Sequence, residues 1–237
     1  MANKEFIQAI GAAAVKWYPT YKILPSLTIA QAVLESRWGN SGLAKECYNY
    51  FGMKWTSSCG TAYKEYKTGE QTKDGTPYTI MAKFRKYPNV EEGIKGYYDF
   101  LNYARYKNLK GITDYREACH TIKNDGWATD VSYTQKLINM VQMYDLWKYD
   151  IDAIYPKAPT GNITQDSNFL VIVWLQHNLN NCLTRVKDFV PLKVDGDYGA
   201  KTRAAVLLYW KLLGWNPSTG WSAGVNTKKA LAAGRKA

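Results

Sequence analysis

Histidine is the scarcest of the residues that could carry chemistry. The sequence of 237 residues has two, His120 and His177, far apart along the chain. Zinc hydrolases usually need two or more histidine ligands, so this scarcity argues against a zinc enzyme. No G-x-S-x-G motif is present either, which argues against Ser-His-Asp chemistry. We therefore expect an enzyme without a metal or other cofactor, if it is an enzyme at all.

The sequence also lacks paired cysteines and long apolar runs. Its four cysteines form no C-x-x-C motif, and we expect reduced thiols, with a Cys47–Cys59 bridge as the alternative. No apolar run approaches the roughly 18 residues of a membrane helix. The first residues read as an amphipathic helix interrupted by Glu5 and Lys16, which does not fit a signal peptide. We expect no membrane insertion and synthesis in the cytoplasm without a signal.

Acidic residues are fewer than basic residues. The chain has 31 Lys and Arg against 20 Asp and Glu, a net charge of +11. Residues 151–237 hold 11 basic and 5 acidic side chains, so about a third of the chain carries over half of the excess. A basic surface favours an anionic partner such as nucleic acid, an acidic membrane or a wall polymer, although plain solubility also explains it.

Helical periodicity dominates the first part of the chain. An apolar stripe predicts a helix that begins near Phe6 and that Pro19 ends. A second helix is predicted from Leu27 to Trp38, with Ser26 as its N-cap, and it is apolar nearly all round. Such a helix is usually buried.

Between residues 49 and 87 the helical pattern is lost. Asp74-Gly75 is a hairpin turn signal, and the alternation from Tyr78 to Phe84 predicts a half-buried strand. Helices return in three segments that open on capping boxes, led by Asn89, Asp114 and Ser132. Prolines and polar residues then mark a linker at 151–165, which predicts domains at 1–150 and 166–237. The last part contains three candidate helices, beginning near Ser167, Ala200 and Val225.

Glu35 is the first candidate for catalysis. It stands in the last turn of the second predicted helix. Apolar surroundings and the negative end of the helix dipole both favour the neutral form of a carboxyl group. A neutral carboxylic acid at about pH 6–7 is what protonation of a glycosidic oxygen requires. A surface glutamate in a frayed last turn is the alternative that position alone leaves open.

Five segments in the same order resemble the glucosaminidases of glycoside hydrolase family 73. The family wordings are AQA-x-LESGWG-x-S, NLFGIK, TEY-x-x-G, KFR-x-Y and YATDPxY. The matching segments here are Ser26–Ser41, Asn49–Lys54, Thr61–Gly69, Lys83–Tyr87 and Trp127–Tyr133. The departures are Arg37 for a usual Gly, Trp127 for a Tyr and Val131 for a Pro. None of them removes a proposed catalytic group.

The resemblance implies a fold and a set of roles. The fold would be mainly α (α+β), a lysozyme-like helical domain with a small β-hairpin lobe. Glu35 would be the general acid and Glu65 the second carboxylate, with Glu70 as its rival, while Tyr133 would line the cleft near the acid. The implied substrate-binding residues are Trp38, Asn49, Phe51, Lys54 and Trp127. For Tyr133 a place in the core is the alternative.

The last 70 residues have a second resemblance. Val171–Leu179 and Leu192–Val206 are similar to the V-x-x-LQ-x-x-L and VDG-x-FG-x-x-T-x-x-AV pattern of the three-helix peptidoglycan-binding module. A fainter copy runs from Gly220 to Leu231 and lacks the Asp-Gly pair. Calcium at Asp195-Gly196-Asp197 is rejected, because no EF-hand glutamate follows.

The two resemblances imply an endo-β-N-acetylglucosaminidase that hydrolyses the β-1,4 bond after N-acetylglucosamine in bacterial peptidoglycan. We expect a monomer that binds no nucleic acid and that acts on the wall after release from the cytoplasm, as a phage endolysin does. The alternative is an autolysin that the cell exports to its wall. A lytic transglycosylase and a non-catalytic wall-binding protein remain as alternatives. The pattern leaves inversion, retention and substrate-assisted catalysis open.

Overall fold

Two units make up the chain, Met1–Ala153 and Ile154–Ala237. The computed structural model describes residues 3–71, 74, 76–216 and 218–236. Among these residues, no helix combines the length and the apolar character that crossing a bilayer requires.

The first unit is mainly helical and includes one two-stranded sheet. Its helices are α1 Asn3–Tyr21, α2 Pro25–Ser36, α3 Gly42–Cys47, α4 Val90–Phe100, a 3₁₀ helix Ala104–Leu109, α5 Tyr115–Asn124, α6 Tyr133–Met143 and α7 Trp147–Ile154. Its strands are β1 Ala62–Gln71 and β2 Pro77–Lys86. This arrangement confirms the predicted class, a mainly helical domain with a small hairpin lobe.

Helix α2 is the centre of the first unit. It packs against α1, α5 and α6, and every residue from Pro25 to Val33 is buried. The sequence predicts Ser26 as the N-cap of α2, and this prediction is wrong, because Pro25 already occupies the first helical turn. The cap instead comes from α7, where Asp150 Oδ1 accepts a hydrogen bond from the Ser26 backbone N–H at 2.8 Å. A distant carboxyl group therefore satisfies an N–H that the helix itself leaves unpaired.

Two helix ends differ from the sequence prediction. Helix α1 does not end at Pro19 but runs on to Tyr21. A proline in a final turn removes one backbone hydrogen bond and leaves little helix beyond it to disturb. Helix α2 ends at Ser36 rather than Trp38, because Arg37 and the next two residues all have positive φ.

The hairpin lobe is much more exposed than predicted. Strands β1 and β2 are antiparallel, in a register that runs from Ala62↔Lys86 to Gln71↔Pro77. Along β2 Phe84 alone is buried, where α3 covers the sheet, so the prediction of a half-buried strand is wrong for its outer part. The Asp74-Gly75 turn includes Gly75, which lies outside the described residues.

The predicted capping boxes have two outcomes. Asn89 Oδ1 accepts from the Glu92 N–H, and Asp114 Oδ1 accepts from the Arg116 N–H, so both residues are N-caps. Ser132 is not a side-chain cap, because its hydroxyl donates to Asp130 Oδ1 at 2.7 Å instead. The turn before α6 is therefore held by Asp130.

The second unit contains three helices, α8 Phe169–Leu183, α9 Ala200–Leu212 and α10 Val225–Ala232, and α8 contacts both of the others. Two of these begin where predicted, and the first begins two residues after Ser167. Both ends of the predicted linker 151–165 belong to elements of the two units. Helix α7 extends to Ile154, and buried Ile163 forms a bridge with Ala223 inside the second unit.

Candidate active site

Glu35 lies at the C-terminal end of α2, at the surface of the first unit. The residue is exposed, so the predicted apolar burial of its carboxyl group is wrong. Burial along the helix is continuous only as far as Val33. What surrounds Glu35 is a set of hydrogen-bond donors and aromatic rings rather than a closed apolar pocket.

Two predicted site residues hold one oxygen of Glu35. Tyr133 OH donates to Oε1 at 2.7 Å, and Trp127 Nε1 donates to the same oxygen at 3.0 Å. No hydrogen bond to Oε2 is found among the described residues. The structure thus brings Glu35, Trp127 and Tyr133 together and leaves one carboxyl oxygen available to a substrate.

A buried relay fixes the direction of the Tyr133 hydroxyl. Gln31, one turn before Glu35 on α2, is fully buried, and its Nε2 donates to Tyr133 OH at 3.1 Å. Its Oε1 accepts from Tyr97 OH. Because an amide N–H can only donate, the Tyr133 oxygen acts as its acceptor, and the Tyr133 proton points to Glu35. Burial and the neighbouring Glu35 charge raise the pKa of Tyr133, so this proton stays in place.

Gln31 and Tyr97 were not among the predicted site residues. Gln31 lies inside the quoted family wording, and a polar residue in an otherwise apolar helix, four positions before the acid, was a usable signal. Tyr97 is one of 19 tyrosines, and nothing in the sequence distinguishes it.

An aromatic wall stands beside Glu35. Phe51 stacks on Tyr97 with ring centroids 3.9 Å apart, and the Trp127 ring meets Tyr97 edge-on at 5.5 Å. Phe100 and Tyr106 also contact Trp127, at 6.0 and 6.2 Å. These contacts fix the indole whose N–H reaches Glu35, and they put predicted Phe51 in the wall of the site.

Trp38 lies behind the end of α2. Its ring packs edge-on against Phe6 and Tyr144, with centroids 6.4 and 5.0 Å apart. Its backbone φ is +60°, between Arg37 at +53° and Gly39 at +72°. The ring contacts of Trp38 are thus with α1 and with the residue that follows α6.

Asn49 and Lys54 connect the loop after α3 to strand β2. Asn49 is buried, and its Nδ2 donates to the carbonyl oxygens of Met53 and Arg85, both at 2.9 Å, while its Oδ1 accepts from the Met53 N–H. Lys54 is exposed, and its carbonyl accepts from Arg85 Nε at 3.1 Å. Because the protein backbone uses the Asn49 amide, any effect of Asn49 on a substrate would be through the position of this loop.

Glu65 lies on the hairpin, away from the buried relay. It is exposed and pairs across the sheet with Lys83. Side chains alternate along a strand, so Glu65 shares a face with Tyr63 and with Arg85, the residue that pairs with Tyr63. Glu65 is three residues from the start of the paired region and Glu70 is eight, or roughly 10 and 27 Å along the strand. Glu65 is therefore the one nearer to the helical body.

Comparison with known proteins decides the family. A sequence model of the glucosaminidase family, described as mannosyl-glycoprotein endo-beta-N-acetylglucosaminidase, matches residues 11–146, more than half of the chain. The chain belongs to the glucosaminidase family. The match lies within the first unit, which is therefore the glucosaminidase domain.

The relatives of the glucosaminidase domain include an exo-glucosaminidase and a peptidoglycan hydrolase. The chain is 37% identical over 154 residues to the exo-glucosaminidase LytG of Bacillus subtilis, which covers 61% of this chain and 52% of LytG. It is 31% identical over 134 residues to the peptidoglycan hydrolase FlgJ of Salmonella typhimurium, covering 54% and 42%. The catalytic domain of the Listeria monocytogenes autolysin Auto has a TM-score of 0.57 at 32% identity, over 62% of this chain and 87% of that domain. The chain spans about half, or less, of the curated relatives named here.

The second unit has its own buried hub. Gln176 of α8 donates to Asp195 Oδ1, Asp197 O and Thr202 Oγ1 at 2.9–3.1 Å, and its Oε1 accepts from the Asp195 and Gly196 N–H groups. The same positions recur one helix later, where Trp210 of α9 donates to Thr227 Oγ1 at 2.9 Å. The faint repeat in the sequence is thus a structural repeat in which Trp210 replaces a glutamine.

Proposed function

We propose that the protein hydrolyses the β-1,4 glycosidic bond that follows N-acetylglucosamine in bacterial peptidoglycan, with Glu35 as the general acid. The observation that carries the proposal is the placement of Glu35 at an open surface, with two donors on one carboxyl oxygen. Membership of the glucosaminidase family supports the bond type. The likeness to the peptidoglycan hydrolase FlgJ supports bacterial wall glycan as the substrate.

The two donors determine where the acid carries its proton. Oε1 already accepts hydrogen bonds from Tyr133 and Trp127, so the acidic proton belongs on Oε2. Oε2 would donate this proton to the glycosidic oxygen as the bond to the anomeric carbon breaks. The charge left on Glu35 is then stabilised by donors that are already in position, with no rearrangement of the protein.

Glu65 is proposed as the second carboxylate. It would activate water or stabilise the positively charged sugar that forms as the bond breaks. Its place near the base of the hairpin, on the face shared with Arg85, supports this role over Glu70. The two carboxylates would approach the same sugar from two different lobes.

The reducing ends of the products test the proposal. Purified walls are digested, reduced with borohydride and analysed by mass spectrometry. A glucosaminidase gives N-acetylglucosaminitol, a muramidase gives muramitol, and a lytic transglycosylase gives 1,6-anhydro ends that borohydride leaves unchanged. Product length then separates endo from exo cleavage. Muramitol or anhydro ends would overturn the proposed bond, and no release of fragments would leave a non-catalytic wall-binding protein.

We propose that the second unit holds the enzyme on the wall. Its 11 basic and 4 acidic side chains give a charge of +7, which suits an anionic polymer, and its Gln176 hub orders the turn that resembles a peptidoglycan-binding module. Beside this hub is a cavity of about 950 Å³, lined by Phe189, Val190 and Leu208 among others. Release of the protein from the cytoplasm at lysis, as by a phage endolysin, stays a prediction.

A fragment ending at Pro156, which keeps α7 whole, tests this division of labour. It should cleave soluble glycan fragments but lose much of its activity on intact walls, most strongly at low salt, where attraction between opposite charges is least screened. Circular dichroism establishes that the fragment is folded before lysis and wall pull-down are measured. Equal lysis by fragment and full chain at both low and high salt would refute the targeting role.

A further inference from the structure

A second cavity lies between the hairpin and α4 in the glucosaminidase domain. Its volume is about 760 Å³, and Glu35 does not line it. Its walls are the 56–62 loop, the end of β2 and one face of α4. Phe100 also lines it, and the Phe100 ring lies 6.0 Å from Trp127, which donates to Glu35. Two aromatic rings, those of Phe100 and Trp127, therefore connect the cavity to the candidate acid.

Tyr87 brings an unpaired hydroxyl to this cavity. The residue is 4% exposed, and its OH has no hydrogen-bond partner among the described residues. It lies against Gly96, where an added Cβ would be 2.4 Å from the hydroxyl oxygen. Both residues line the cavity. A buried hydroxyl without a partner is uncommon, because leaving it unpaired costs stability.

Arg85 faces the same space. Its Nε donates to the Lys54 carbonyl, and its two terminal nitrogens have no acceptor among the described residues. Its charge and its hydrogen-bonding approach to the phenol both oppose the rise that burial causes in the pKa of Tyr87, so the two groups are neighbours. A guanidinium group beside a buried hydroxyl that has no acceptor of its own offers two donors to a carboxylate.

The remaining charges of the cavity leave this site positive. Lys95 and Asp99 neutralise each other through an ion pair of 2.8 Å, and Tyr21 OH also donates to Asp99. Of the other charged residues in the lining, Lys86 offsets Glu92, so Arg85 supplies the excess positive charge.

We propose that Arg85 and the Tyr87 hydroxyl bind a carboxylate carried by the N-acetylmuramic acid unit of the glycan. This inference rests on the proposed function and names a part of the substrate that the Glu35 site does not explain. The carboxylate has two possible sources with the same chemistry. One is the peptide stem of intact peptidoglycan, and the other is the lactyl group that is left when the stem has been removed.

Equilibrium binding to four preparations of soluble glycan tests the proposal. The first carries peptide stems, the second has had its stems removed by an amidase, and the third is the second with its lactyl carboxyls converted to methylamides. A matched peptide-bearing glycan with methylamidated stems completes the set. Dissociation constants are measured by calorimetry on the Glu35→Gln protein, alone and combined with Arg85→Gln or Tyr87→Phe.

We expect both combined variants to bind a carboxylate-bearing glycan about tenfold more weakly, the usual effect of losing a charge-assisted hydrogen bond. Converting the carboxyls to amides should weaken binding to Glu35→Gln by a similar factor and should add little in the combined variants. The glycan that shows this coupling identifies the source, stem or lactyl group. Tyr87→Phe should melt at the parent temperature or above, because it removes only an unpaired hydroxyl.

Arg116→Gln is the matched control, since it loses the same charge on α5 and does not line the cavity. Equal weakening by Arg116→Gln would mean that overall charge is responsible and would overturn the proposal. Independent effects of amidation and of the Arg85 and Tyr87 changes on both glycans would overturn it too. Turnover of the same glycans by the parent protein is recorded separately, so that a failure of the proposed function is seen as absent cleavage whatever the binding shows.

Discussion

The two carboxylates of the candidate site stand on very different supports. Glu35 ends a helix whose residues are buried from Pro25 to Val33, and a relay through Gln31 and Tyr133 fixes its hydrogen bonds. Glu65 lies on a two-stranded hairpin whose second strand is buried at Phe84 alone. One carboxylate is thus held in advance, and the other is carried by a lobe with few tertiary contacts.

This difference suits the two roles. An acid must present its proton at a fixed position, and donors arranged beforehand stabilise the charge that is left behind. A carboxylate that works through water tolerates a wider range of distances.

The largest effect should come from a change at Glu35, the carboxylate at the end of buried helix α2. Glu35→Gln keeps the shape of the side chain and removes the transferable proton, so wall lysis should fall by about 10²–10⁴-fold, the usual contribution of acid catalysis. Turbidity of purified walls measures the rate. Glu117→Gln, an exposed change on α5, is the control. A folded Glu35→Gln protein with more than about a tenth of the parent rate would exclude Glu35 as the acid.

On the hairpin, Glu65→Gln should reduce wall lysis by about 10²-fold, because it removes the base or the stabilising charge. Glu70→Gln should have a smaller effect, since position 70 is five residues farther along the strand. The same turbidity assay compares the two variants. If Glu70 proves the more sensitive position, the assignment of roles along the hairpin is wrong.

The stability that Asp150 gives to the start of α2 should depend on pH. Burial raises the pKa of Asp150 to about 7. The folded value lies above the unfolded value of about 4, so the stability linked to this group is complete below about pH 4 and is lost as the pH rises through about 7. Asp150→Asn keeps an acceptor for the Ser26 N–H and removes this titration.

Denaturant unfolding at about pH 4 and pH 8 measures this effect. The difference in free energy of unfolding between parent and Asp150→Asn should change by about 2–3 kcal/mol between the two pH values, in favour of the variant at the higher pH. Asp152→Asn, an exposed change on the same helix, should show no such trend. A constant difference would show that Asp150 does not titrate in this range.

Tyr133→Phe sharpens the comparison within the relay. It removes one donor from Glu35, and kcat should fall about tenfold. It also leaves Gln31 Nε2 buried without its acceptor, so the free energy of unfolding should fall by about 1 kcal/mol. Trp127→Phe removes the other, half-buried donor and should lower kcat with a smaller loss of stability. Equal losses of stability in the two variants would mean that the hydrogen bond from Gln31 to Tyr133 adds nothing to stability.

The smallest effect should come from Arg37. Its φ of +53° and ψ of +55° are left-handed values that suit the glycine usual in the family. Arg37→Gly should raise the free energy of unfolding by about 1 kcal/mol. Arg37→Ala removes the same side chain without relieving the backbone and serves as the control in the same denaturant titration. A gain with alanine as large as with glycine would point to the side chain instead.

The sequence was a good guide wherever function and local pattern coincide. Glu35, Tyr133 and Trp127 were found through their motifs, and the structure joins them by hydrogen bonds. The helices and the hairpin were predicted from periodicity. The left-handed turn after α2 was not, because a glycine usually stands at its first position and Arg37 hides the signal.

What the sequence could not give depends on distant partners. The cap of α2 comes from Asp150, 124 positions from Ser26, and no local rule connects them. The motif assigns Asn49 to substrate binding, but it does not reveal that the Asn49 amide donates to the backbone of Met53 and Arg85. The exposure of Glu35 was also mispredicted, because an apolar helix can end at the surface.

The central claim, that Glu35 acts as the acid, has one direct test. A glycoside with a 2,4-dinitrophenyl leaving group departs without protonation, so it does not need a general acid. Glu35→Gln should therefore lose about 10²-fold or more on wall glycan yet stay within about tenfold of the parent on the activated glycoside. Glu65→Gln should lose activity on both substrates. Equal losses of the Glu35→Gln protein on both would contradict the account and would assign Glu35 to binding or positioning instead.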